Sequence, residues 1–269
     1  MLDMRLRDVL YHVSDQGSGR PMLLLHGFTG SGESWSEHGP VLAQHFRVLA
    51  PDLIGHGRTE SPLDSARYRI DEAAADLVTL LQQMDALPAL FLGYSMGGRL
   101  ALYTALAYPE AVSALILESA SPGIRDDAAR AERRAADDVL ASRIEHVGVP
   151  GFIREWESLP LFATQQTLPA EKLAAQRAIR LAQSPVGLAN SLRGMGTGAQ
   201  PSLWERLGEL TVPALLLTGE VDTKFGATAE AMTNAIRGAR HTIIGGAGHT
   251  THLELPDQFR KAVLDFLLE

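Results

Sequence analysis

The stretch Gly93-Tyr94-Ser95-Met96-Gly97 decides the fold. An apolar run, Pro88-Ala89-Leu90-Phe91-Leu92, leads into it, and a helix-forming run, Arg99-Leu100-Ala101-Leu102-Tyr103, leads out. This is G-x-S-x-G between a buried strand and a helix, the setting in which a serine is carried on a very tight turn. The turn predicts a strained serine backbone, flanked by glycines because larger side chains would strike the neighbouring strand or helix. The hydroxyl then projects beyond the carboxyl edge of a parallel sheet, at the positive end of a helix. G-x-S-x-G alone is common by chance; the strand before it and the helix after it make it a nucleophile elbow.

Outward from the elbow, other short apolar runs read as strands covered on both faces: Pro21 to Leu25, Phe46 to Ala50, Val112 to Leu117, Val212 to Leu217 and His241 to Ile244. A looser alternation over 5–13 reads as a single edge strand closing at Gly17-Ser18-Gly19. Helices are expected over about 71–86, after the elbow as far as Pro109, over about 226–238, and from Pro256 to Leu268. From about 124 to 200 the chain is helical and charged, with no strand-like run. Strands alternating with helices predict an α/β fold with a mainly parallel, doubly wound sheet. The expected division is a core of residues 1–120 and 201–269, with 121–200 a helical cap inserted between two strands. Ligands of such sheets bind beyond the carboxyl ends of the strands, where the elbow also points.

Composition narrows the chemistry. Of 269 residues, 45% are apolar and 21% charged, enough for a sizeable core. The net charge of −8 argues against nucleic acid and anionic membrane as partners, although clustered arginines can still hold a small anion. With no cysteine, disulfides, thiolate metal sites and a cysteine nucleophile are excluded. No run is long enough to span a bilayer, so a cytoplasmic protein without membrane insertion is expected, as a monomer or weak homo-oligomer.

A serine hydroxyl needs an imidazole within hydrogen-bond reach and a carboxylate to hold that imidazole's tautomer. His249 follows the glycine-rich loop Gly245-Gly246-Ala247-Gly248 after the last strand, and His252 is the runner-up. The acid belongs after the preceding strand, where Asp222 is favoured; Glu220 is expected to bond loop backbone, and Glu118 is a third possibility. Two backbone N–H groups must stabilise a developing oxyanion: Met96, next to the serine, and Phe28 in the His26-Gly27-Phe28 loop. His26 and His56 read as structural, and Gly194, Gly196 and Gly198 follow no strand and read as a loop.

His26-Gly27-Phe28, Asp52-Leu53-Ile54-Gly55-His56-Gly57-Arg58, Gly93 to Arg99, Gly219 to Asp222 and Gly246 to His249 together resemble the α/β-hydrolase superfamily. The Tyr94-Ser95 pair, Arg99 four residues on, Trp156-Glu157-Ser158-Leu159-Pro160-Leu161-Phe162, and the stretch from Leu192 to Trp204 resemble one of its branches. That branch is the 2-succinyl-6-hydroxy-2,4-cyclohexadiene-1-carboxylate synthases of menaquinone biosynthesis. The resemblance implies a triad of Ser95, Asp222 and His249, and a substrate site of Tyr94, Arg99, Arg133, Trp156 and Arg180, with Arg193 competing for the last place. It implies a small polycarboxylate substrate, loss of pyruvate by proton abstraction, and neither metal nor organic cofactor. Arginine suits such a ligand, because it clamps anionic oxygens bidentately and stays charged.

The same triad also serves ester hydrolases and carbon–carbon bond hydrolases, for which the arginines would be incidental. Ser95 disfavours a haloalkane dehalogenase, which would carry an aspartate there. A ligand receptor is the remaining alternative on this fold.

Overall fold

The apolar runs form the inside of an eight-stranded sheet in a computed structural model that describes residues 1–269. The strands are β1 (Leu2–Leu6), β2 (Val9–Gly17), β3 (Pro21–Leu25), β4 (Arg47–Pro51), β5 (Ala89–Tyr94), β6 (Val112–Glu118), β7 (Ala214–Gly219) and β8 (Arg240–Ile244). The α-helices are α1 (Gly39–Leu42), α2 (Ile70–Gln83), α3 (Met96–Ala107), α4 (Asp127–Glu157), α5 (Ala170–Leu181), α6 (Pro185–Met195), α7 (Thr223–Ala235), α8 (Thr251–Glu254) and α9 (Pro256–Leu268). Across the sheet the order is β1-β2-β4-β3-β5-β6-β7-β8. The β1–β2 and β2–β4 pairings are antiparallel, and every other pairing is parallel.

Side chains two apart on a strand share a face, and here both faces are covered. Leu23, Leu25, Phe91, Leu115, Leu117 and Leu216 join the apolar cluster under α2 and α3. Met22, Leu24, Leu90, Leu92, Ile116 and Leu215 join another with Trp35, Phe46, Phe259 and Val263 on the opposite face. That two-sided burial is why these strands read as unbroken apolar runs. The segment 5–13 departs from expectation. It is the middle of a hairpin, β1 and β2, turning at Arg7 and Asp8, with Arg7 in the left-handed region at φ 57°. The alternation continues through the turn, so the reversal leaves no gap in the pattern.

The chain leaves β3 for β4 on one side and returns to β5 on the other. Loops following β3 and β5 therefore diverge at their carboxyl ends, making the crevice in which ligands of open parallel sheets sit. Residues after β3 (His26 to Gly30) and after β5 (Ser95) meet there.

Between β6 and β7 lie α4, α5 and α6. The α4 segment turns at Gly148 (φ 69°) just before Pro150, so it is two helices at an angle. Ala141, Ile144, Phe152, Ile153, Leu188 and Leu192 bury one another there, with Phe28 of the β3 loop packed against them. No helix is long and apolar enough to cross a membrane.

Candidate active site

The elbow is built as its glycines require. Ser95 has φ 51° and ψ −106°, a conformation costing on the order of 1–3 kcal/mol that persists only when its surroundings impose it. Its N–H donates to the Glu118 carbonyl at 2.8 Å, extending the β5–β6 ladder one residue past the strand. Its own carbonyl accepts from Arg99 N–H at 3.0 Å, the first turn of α3. A Cβ on Gly97 would collide with the Leu25 carbonyl of β3, and one on Gly93 with the backbone of Gly97. Strand and helix can approach this closely only without side chains at both positions.

His249 Nε2 lies 3.3 Å from Ser95 Oγ, and His249 Nδ1 lies 2.6 Å from Asp222 Oδ2. The carboxylate keeps the imidazole hydrogen on Nδ1, which leaves the Nε2 lone pair facing the serine hydroxyl. Asp222 caps α7 from the position before it, its Oδ1 accepting the Phe225 N–H at 3.3 Å. The Phe225 ring in turn packs 4.6 Å from the His249 ring. His249 and Asp222 are both buried, so their bond is shielded from water. In that setting the hydroxyl can pass its proton to imidazole, acting as nucleophile or as base.

Met96 is the first residue of α3, where an amide has no intrahelical acceptor. The Phe28 amide donates to no protein group. The β3 loop reaches the elbow through Gly27, where a Cβ would fall 2.6 Å from the Tyr94 ring. His26 braces that loop: its Nδ1 bonds the Gly27 carbonyl at 2.8 Å and its Nε2 accepts from Leu53 N–H at 2.9 Å. Burial pushes His26 down to about 4, so it stays neutral at pH 7.

The sequence-predicted cations fall into two groups. Arg99 Nη1 donates to the Met195 carbonyl at 2.7 Å and to Gln200 Oε1 at 2.8 Å. Burial pushes its guanidinium down to about 10; Asp137 opposes this and Arg133 adds to it. Arg133 Nε bonds Asp137 Oδ1 at 2.7 Å, while Asp137 Oδ2 accepts Gly198 N–H. The Leu192–Trp204 stretch thus acquires a physical reason: it brings acceptors to Arg99, and its glycines let α4 approach. Arg180 is elsewhere, 3.3 Å from Glu157 and over the Phe162 ring. Arg193 is taken up by Asp138 and Glu145 at 3.0 and 2.6 Å.

A cavity runs beside Tyr94 between the β3 loop and α5, lined among others by Phe28, Tyr94, Trp156, Arg180 and His252. Ser95, His249, Arg99 and Arg133 do not form its wall. Tyr94 stands between cavity and triad, its ring 5.5 Å from that of His249. The Trp156 indole N–H has no protein acceptor.

The two runners-up from the sequence pair with each other. His252 Nδ1 lies 2.8 Å from Glu118 Oε2, while Glu118 Oε1 accepts from Thr251 Oγ1 and His252 N–H. Burial pushes the Glu118 carboxyl upward, but His252 and these bonds outweigh it and hold it below the usual range. Glu220 bonds Gly246 N–H at 2.9 Å, as expected of it. Glu254 was not anticipated. Its two oxygens accept Gly248 and Thr250 N–H, at 2.6 and 3.1 Å, clamping the loop on either side of His249. No capping-box spacing announces it, because Glu254 stands four residues after the N-cap Thr250 rather than three. No group of three or more histidine and carboxylate side chains is placed to hold a metal ion.

A strained serine at a strand-to-helix turn, with an acid after β7 and a histidine after β8, defines the class. The chain belongs to the α/β hydrolase fold family, whose model matches residues 20–256. Within that family the likeness narrows to the 2-succinyl-6-hydroxy-2,4-cyclohexadiene-1-carboxylate synthases. A Bacillus subtilis protein that carries this name provisionally is 43% identical over 261 residues, 96% of this chain and 95% of that one. The synthase of Salmonella typhimurium is 32% identical, over 91% of this chain and 92% of its own. The solved structure of MenH from S. aureus matches with a TM-score of 0.91 at 38% identity, covering 96% of this chain and 97% of that one.

Proposed function

We propose that this protein is a carbon–oxygen lyase that eliminates pyruvate from 2-succinyl-5-enolpyruvyl-6-hydroxy-3-cyclohexene-1-carboxylate, giving 2-succinyl-6-hydroxy-2,4-cyclohexadiene-1-carboxylate. One observation carries the reading. The carboxylate–imidazole–hydroxyl line, at 2.6 and 3.3 Å, stands one helical turn from a half-buried arginine bonded only to neutral oxygens. Such an arginine is a charge awaiting an anion. A substrate with several carboxylates supplies it; a simple ester does not.

In this reading the Ser95–His249 pair removes a proton from ring carbon. The electron pair of the broken carbon–hydrogen bond forms a new ring double bond, the existing ring double bond shifts, the carbon–oxygen bond breaks, and pyruvate leaves as its enolate, which takes up a proton at carbon. Asp222 stabilises the imidazolium in between, and the Phe28 and Met96 amides take the charge that builds on oxygen. Arg99 and Arg133 hold one carboxylate region, and Tyr94, Trp156 and Arg180 another. Residues 121–200 act as a cap closing over the core of 1–120 and 201–269.

The test is a coupled assay of pyruvate release from freshly generated intermediate. The wild type is expected to turn over. Ser95→Ala and His249→Ala should each lose at least about 100-fold, the scale of general-base catalysis. Arg99→Ala should lower kcat/KM at least about tenfold, one charged contact's worth. Rapid hydrolysis of nitrophenyl esters with no pyruvate release would replace this reading with an esterase.

A further inference from the structure

The hydroxyl of Tyr94 lies 2.8 Å from Thr250 Oγ1, and that same oxygen lies 2.9 Å from Gln165 Nε2. At the other end of the Gln165 amide, Oε1 faces Arg180 Nη2 at 3.4 Å. The four side chains come from four places in the chain: the end of β5, the turn before α8, the 3₁₀ segment Pro160–Thr167 and α5. Gln165 and Thr250 are both buried. The segment carrying Gln165 also packs on the loop of His249, because Thr164 occupies the space a side chain on Gly248 would need.

Counting hydrogens gives this chain a direction. A guanidinium has donors only, so Gln165 must turn its oxygen to Arg180 and its NH₂ to Thr250. Thr250 Oγ1, accepting from that NH₂, has one hydrogen of its own to place, and the Tyr94 oxygen is within reach. Tyr94 then receives a hydrogen bond and keeps its own hydrogen for another acceptor. Thr250, Arg180 and Tyr94 all line the cavity. Bonds pointing the same way polarise one another, and this row starts from a guanidinium whose other terminal nitrogen pairs with Glu157.

We infer that Arg180, Gln165 and Thr250 form a relay that orients the Tyr94 hydroxyl as a hydrogen-bond donor to a carboxylate or carbonyl oxygen of the substrate. Gln165 and Thr250 are positioning residues, and through them the cap segment sets the polarity of a group on the core. This rests on the lyase reading for the identity of the substrate, but the direction of the relay does not depend on it.

The experiment compares Thr250→Val, Gln165→Leu and Thr250→Ser with wild type in the pyruvate-release assay, with thermal midpoints measured alongside. Valine keeps the shape of threonine, leucine is apolar and one carbon shorter than glutamine, and both remove the hydrogen bonds, so each should lower kcat/KM about tenfold. The loss should appear mainly in KM, because a carboxylate is gripped alike before and during reaction. Thr250→Ser restores the hydroxyl and should stay within about twofold of wild type. Wild-type kinetics in Thr250→Val, a loss confined to kcat, or a serine variant as impaired as the valine one would overturn the relay. If the wild type hydrolyses nitrophenyl esters but releases no pyruvate, the lyase reading falls alone. The same three variants measured on the ester then decide the relay.

Discussion

Asp222 uses its two oxygens for different tasks, one on His249 Nδ1 and one on the Phe225 N–H that opens α7. Asparagine could not do both. The Phe225 amide demands an acceptor, so the Asn oxygen would turn to it and the NH₂ would face His249. The imidazole would then carry its hydrogen on Nε2, where it can no longer accept from Ser95. Asp222→Asn should therefore lower kcat about 10²- to 10⁴-fold while its urea midpoint stays close to wild type. A variant that retains wild-type kcat would remove Asp222 from the proton path. The Ser95–His249 distance of 3.3 Å is long for a tight hydrogen bond, a common condition before substrate closes the site.

At the scale of elements, the elbow depends on how nearly β5, α3 and β3 touch. Gly97 faces the Leu25 carbonyl, and neither backbone can yield without disturbing the sheet. Gly97→Ala should destabilise the protein by about 1–3 kcal/mol in urea unfolding, the range for overfilling a packed site. It should also displace Met96 N–H and lower turnover. Wild-type stability and turnover in Gly97→Ala would show that the elbow has slack the geometry does not suggest. The same closeness recurs where α6 meets the loop after β4: a Cβ on Gly187 would collide with the Gly55 carbonyl. Two segments far apart in sequence are thereby held in register by what their side chains lack.

For the whole molecule, three buried histidines set the response to acid. Burial pushes His26 and His38 down to about 4 and His56 to about 3. In the unfolded chain each regains an ordinary value near 6.5. Between pH 6.5 and 4 the unfolded state therefore binds more protons than the folded one, so stability rises with pH. It is fully present above about 6.5 and lost as pH falls toward 4. Each histidine adds up to about 1.4 kcal/mol per pH unit to that slope. Urea midpoints taken from pH 7 down to 5, above the range where carboxylates protonate, should fall with uptake of more than one proton. A flat profile would mean that these rings are hydrated in solution.

Much of this was legible in the residues. Two-sided burial forces unbroken apolar runs, so the parallel strands announced themselves. Steric necessity forces glycine around a strained serine, so the elbow did too. The order serine, acid, histidine is that of the α/β-hydrolase fold and pointed to the loops after the last two strands. The hairpin at 2–17 was not legible, because a reversal at Arg7-Asp8 leaves the alternation intact. Nor was the role of Glu254, or the pairing of His252 with Glu118, since each depends on separations of a few ångströms between loops.

Local pattern alone determined the architecture and the elbow, because each rests on backbone sterics or on periodic burial that any stretch of chain displays by itself; for the histidine and the acid it left rival candidates. Only the folded molecule decided which arginine faces the cavity and which is neutralised on the outside. It alone decided too that Gln165 and Thr250 stand between Arg180 and Tyr94. Those outcomes depend on distances across elements distant in sequence, and a hydrogen bond exists or fails within half an ångström.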